Sequence, residues 1–109
     1  MATAYKILGQ SAPSATTDTN VYTVPLATEA IVSTIVVCNR AAAAGSFRLA
    51  VRPNGTAIAN QHYLAYDVAI AANDSTTLTL GITVDATDVI TVYASSANMS
   101  FNVFGAEIS

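Results

Sequence analysis

Charge is scarce in this chain of 109 residues: four Lys and Arg stand against seven Asp and Glu, 10% of the total, where soluble proteins average about 25%. Four cations and a net charge of −3 argue against direct nucleic-acid binding, which needs a row of side chains to neutralise phosphates. A single cysteine, Cys38, excludes a disulfide scaffold. Long apolar runs are missing too. The best, Ala30 to Cys38, holds nine residues and includes Ser33 and Thr34, against about 20 for a membrane helix. No membrane association is therefore expected. Met1 to Lys6 shows no charged segment leading into an apolar stretch, so no secretory signal is expected and synthesis is placed in the cytoplasm. Disorder is excluded in turn, because hydrophobic residues make up 52% of the chain.

What is present is alternation. In Phe47-Arg48-Leu49-Ala50-Val51-Arg52, Phe47, Leu49 and Val51 share one face and the two arginines the other, the mark of a half-buried strand. Thr77 to Val84 repeats it, with Leu78, Leu80, Ile82 and Val84 inward and threonines outward. His62 to Val68 groups Leu64, Tyr66 and Val68 on one face, with Tyr63 and Asp67 opposite. Met99 to Val103 alternates until Phe104 and Gly105 break the phase, which a bulge at Gly105 would explain. Ala30 to Cys38 is nearly continuous in β-branched residues, so its two faces are expected to be covered, by this domain or by a neighbour.

Turn signals at Ser11–Asn20, Ala41–Ser46, Pro53-Asn54-Gly55, Ala72–Ser75, Asp85–Asp88 and Ser95–Asn98 separate these runs. About eight strands result: Tyr5–Leu8, Val21–Val24, Ala30–Asn39, Phe47–Arg52, His62–Val68, Thr76–Val84, Val89–Ala94 and Met99–Ile108. Such spacing predicts an all-β chain, a single antiparallel β-sandwich over residues 1–109, jelly-roll or immunoglobulin-like in topology. Residues 1–20 form a strand and loop that serve either as an ordinary edge strand or as an arm docking on a neighbour.

Catalytic chemistry is thin. His62 shares a face with Leu64 and Tyr66 and reads as a packed structural histidine, and Cys38 reads as a small buried hydrophobe with no base nearby. Asp85 and Asp88 are too few for calcium, which takes about six to eight oxygens, and fit turn hydrogen bonding instead. No metal, no cofactor and no enzymatic activity are expected. Binding has better candidates. Arg48 and Arg52 on one strand face, with Arg40 in the region before it, form a possible basic strip for a carboxylate-lined partner. Tyr22, Tyr63 and Phe104 fall out of phase with their strands and are expected as exposed aromatics, suited to a protein interface or a sugar platform.

Several stretches resemble the small β-sandwich structural proteins of tailed bacteriophages of cyanobacterial and marine hosts. They are Tyr5 to Ser11, Thr34 to Arg40, Phe47 to Pro53, Leu80-Gly81-Ile82, Asp88 to Ser95 and Phe101 to Gly105. The resemblance covers nearly the whole chain but rests on strand-and-turn patterns and carries no functional residues. It implies a virion protein: a capsid cement or decoration protein on the capsid surface, bound to the major capsid protein and self-assembled, a homotrimer being the favoured form. The alternatives are a tail, baseplate or fibre component and, from another class, a carbohydrate-binding module for host recognition.

Overall fold

In the computed structural model, which describes residues 2–109, alternation becomes eight strands. They are β1 (Thr3–Ser11), β2 (Thr19–Thr23), β3 (Glu29–Asn39), β4 (Gly45–Arg52), β5 (Tyr63–Ile70), β6 (Ser75–Val84), β7 (Val89–Ala94) and β8 (Met99–Ile108). Single 3₁₀ turns at Pro53–Gly55 and Asn60–His62 lie between β4 and β5. The strands form two antiparallel four-stranded sheets, β1-β8-β3-β6 and β2-β7-β4-β5. Antiparallel pairing joins β1 to β8, β2 to β7, β3 to β6 and β4 to β5. The chain is thus one long hairpin, nested on itself and rolled into two layers. That order is a jelly roll and differs from the immunoglobulin arrangement. β1, for which an edge strand and a docking arm were both open, lies along β8 at the sheet edge.

Inward residues of both sheets meet in one core. Val32, Ile35 and Val37 of β3, Phe47 and Leu49 of β4, Ile90, Val92 and Ala94 of β7, and Met99, Phe101 and Val103 of β8 are all essentially inaccessible. Phe47 and Phe101 meet edge to face across the layers, with ring centroids 6.2 Å apart, a favoured aromatic geometry. Asn39, at the end of β3, is the one polar side chain sealed among the largest buried groups. Its Nδ2 points at the carbonyl oxygens of Ala43, Ile70 and Ala71, at 2.9, 3.4 and 3.2 Å, and its Oδ1 accepts from the Ala41 N–H at 3.1 Å. One buried amide thereby fastens the β3–β4 connection to the end of β5.

Two expectations are corrected. β8 keeps its alternation through Gly105; the extra residues lie in its neighbours, Leu8 in β1 and Ser33 in β3. Gly105 is needed for a different reason: a Cβ there would collide with the Ile31 carbonyl oxygen of the adjacent strand. In β5, two register shifts and a positive φ of 50° at Asp67 break the regular alternation. Tyr66 and Leu64 are exposed, Ala65 packs on the core, and Ile70 is the buried residue of the strand. β3 lies mid-sheet; its own domain covers the inner face, and of the two covers expected for the outer face only a neighbour is left. Ile31 and Ser33 on its outer face are exposed, and Thr34, Val36 and Cys38 are partly so.

Candidate functional site

The two outer faces of the sandwich differ in chemistry. Register places Arg48, Ala50 and Arg52 of β4 and Thr91 and Tyr93 of β7 on the outer face of the β2-β7-β4-β5 sheet. There the arginines are already engaged. Arg48 donates from Nε to Asp67 Oδ1 at 2.7 Å, and its guanidinium lies 4.2 Å from the Tyr66 ring centre and 4.1 Å from that of Tyr93. Asp67 raises the Arg48 pKa further above its ordinary value. Arg52 donates to Thr91 Oγ1, to the carbonyls of Gly55 and Thr56, and to Asn20 Oδ1, the last at 2.7 Å. Every donor nitrogen of Arg52 is spent inside its own domain. Arg40 lies apart, donating to Ser100 Oγ on β8 of the other sheet at 2.9 Å and to the Ala97 carbonyl. The three arginines therefore form no common strip.

The expected aromatics redistribute as well. Tyr22 is buried, because the register shift at Val21 turns its ring inward opposite Ile90. Its Oη donates to Glu107 Oε2 at 2.6 Å, and Lys6 Nζ sits 2.7 Å from Glu107 Oε1. This chain of contacts ties β2 of one sheet to β8 and β1 of the other. Burial, then Glu107, pushes the Tyr22 phenol well above the usual tyrosine range; Lys6, then Tyr22, holds the Glu107 carboxyl below its usual range. Tyr63 is half-buried and packs edge to face on Tyr66, with ring centres 4.9 Å apart. Phe104 is half-buried on the outer face of β8.

That second outer face, of the β1-β8-β3-β6 sheet, has Glu29 at one end and Arg40 at the other, and between them the one charged side chain at its groove is Lys6, which is paired with Glu107. Across it the irregularities align. Leu8 of β1 and Ser33 of β3 are extra residues on either side of Phe104, and β6 carries a further extra residue opposite Ser33. Bulges bend a strand and re-aim its side chains. Along this line opens a groove of about 540 Å³ lined by Tyr5, Lys6, Ile7, Ile31, Ser33 and Phe104, among others. Tyr5 is 86% exposed, Ile7 52% and Ile31 41%. Sequence reasoning named Phe104 as an exposed aromatic, reached Tyr5 and Ile7 only within the strand left open as a docking arm and Ile31 only within the strand left for a neighbour to cover, and did not join them into one face.

Reactive groups are otherwise tied into structure. His62 is buried, and its Nδ1 accepts from the Ala59 N–H at 3.0 Å. Asp88 accepts from the Asn54 and Asp85 N–H groups, at 3.0 and 2.8 Å. Cys38 is half-buried on the outer face of β3 rather than in the core. Among the described residues no group of three His, Cys, Asp or Glu side chains is placed to hold a metal ion, and no helix is long and apolar enough to cross a membrane. No protein family, curated protein or solved structure matches the chain.

Proposed function

We propose that this protein is a non-enzymatic structural component of a phage virion, a cement or decoration protein that stabilises the head by bridging subunits of the major capsid protein. The observation that carries the reading is the outer face of the β1-β8-β3-β6 sheet with its largely apolar groove. Contiguous exposed apolar surface marks an interaction site on a soluble domain, and the residue-level resemblance to phage β-sandwich proteins supplies the setting. Many copies on a shell make weak individual contacts additive in effect.

The arginine strip anticipated from the sequence is not used here, since Arg48 is held by Asp67 between two tyrosine rings and Arg52 spends its donors internally. Docking falls instead to Tyr5, Ile7, Ile31 and Phe104. The test is co-sedimentation with empty shells of the major capsid protein, wild type against Ile7→Glu/Ile31→Glu. The wild type is expected to pellet with shells and the variant, still folded, to remain in solution. Wild type that ignores shells but binds tails moves the protein to the tail, and binding to neither removes the virion reading. A glycan-binding role through Tyr22 is not carried forward, because that ring is buried and its hydroxyl is committed to Glu107.

A further inference from the structure

We infer that the free edge of β6 pairs with β6 of a second copy, antiparallel about a two-fold axis, so that the β1-β8-β3-β6 sheet runs on through both chains. Sheet edges expose unpaired N–H and C=O groups, and proteins blunt them with charge, proline, bulges or short strands. Each of the four edges has a register shift, and three of them add charge or shortness to it. β1 carries Lys6 and a bulge at Leu8. β2 has only five residues and a register shift. β5 has two shifts, with Asp67 at positive φ. β6 is ten residues long, Ser-Thr-Thr-Leu-Thr-Leu-Gly-Ile-Thr-Val, with no charge and no proline; its one irregularity is the extra residue between Thr79 and Ile82, across which its burial keeps alternating.

The sandwich is also asymmetric. Along β1 and β2 it is tied by Lys6, Glu107 and Tyr22. Along β5 and β6 the inward residues Leu78, Leu80 and Ile82 stay partly exposed, and Val68 is 37% exposed. Apolar surface therefore lies beside the open edge.

A second copy is the occupant because β6 is complementary to itself. In a two-fold contact, if residue i faces j then j faces i, and the period of two keeps inward residues opposite inward ones. With Leu80 on the axis, Leu78 faces Ile82 of the second copy and Thr77 faces its Thr83. Apolar and Thr–Thr pairs of this kind are favourable, whereas like charges directly opposite are not. No like charges meet: Asp85 falls opposite Ser75 of the other chain and Asp74 opposite its Ala86. On β1 a contact with Lys6 on the axis would oppose two lysines. The pairing is independent of the virion reading, and it closes after two copies, unlike the three-fold ring expected from the resemblance.

The test is particle mass by light scattering behind size exclusion for three proteins: wild type, Thr77→Lys/Thr83→Lys, and Thr77→Glu/Thr83→Glu. Thr77 and Thr83 are exposed, so all three are expected to melt alike. Wild type should run as a dimer, and each charged variant alone should dissociate at least tenfold more readily. The two variants mixed should recover the dimer as a mixed pair. A monomeric or trimeric wild type overturns the inference, as does a wild-type dimer that both charged variants leave intact or a mixture that fails to pair.

Discussion

Tyr22 on β2 and Glu107 on β8 meet across the two sheets, the phenol donating to the carboxylate at 2.6 Å while Lys6 of β1 holds the second carboxylate oxygen. One margin of the sandwich is thus locked by a hydrogen bond to a charged acceptor, a kind that contributes more than a neutral one. Tyr22→Phe is expected to destabilise the fold by about 1–2 kcal/mol, measured by urea denaturation. Lys6 is half exposed, so Lys6→Ala should cost less, about 0–1 kcal/mol.

The same lock sets a pH window. Glu107 titrates below its ordinary value of 4.5, so its contribution is present above that pH and is lost as pH falls through the folded value. Tyr22 titrates above its ordinary 10.0, so its contribution is present below that pH and is lost as pH rises further. Stability measured against pH should fall on both sides. Glu107→Gln should flatten the acid limb, and Tyr22→Phe the alkaline one.

Two glycines give a paired contrast. Gly105→Ala would drive a Cβ into the Ile31 carbonyl of β3, and should destabilise by about 1–3 kcal/mol. At Gly81 nothing lies within 4 Å of the added carbon and φ is not positive. Gly81→Ala should be neutral or stabilise by about 0.4–1 kcal/mol through the unfolded chain. Thermal melts of the two variants decide it.

Asn39→Asp would replace a buried donor that faces three carbonyl oxygens with a carboxylate. The loss is expected to be about 2 kcal/mol or more near neutral pH. Because burial raises the pKa of that new carboxyl, the variant should regain stability as pH falls toward about 4, against the trend of the wild type. Parallel acid-limb curves for the two proteins would contradict this role for Asn39.

Sequence alternation made the strands and the inner faces of β4, β6 and β8 readable, since Leu78, Leu80 and Ile82 or Met99, Phe101 and Val103 follow a period of two without interruption. It misread β5, because two register shifts and the left-handed Asp67 leave the residue pattern looking regular. It placed Tyr22 outside because the extra residue at Val21 reverses the side on which the ring emerges. The arginines could not be judged as free or occupied, because Arg52 finds Asn20 and Thr91 at 32 and 39 residues' separation. Nested pairing, which brings Ile7, Phe104 and Ser33 to one groove, is a property of register that no local run of residues carries.

The most direct measurement is the affinity for empty shells in low and high salt, with Arg48→Ala beside the wild type. Docking through the apolar groove predicts binding that survives high salt and is unchanged by Arg48→Ala, since apolar burial is not screened while surface charge pairs are. Binding that collapses in high salt, or that is abolished in a folded Arg48→Ala protein, would return the site to the arginine face. No binding in either salt would contradict the cement role itself.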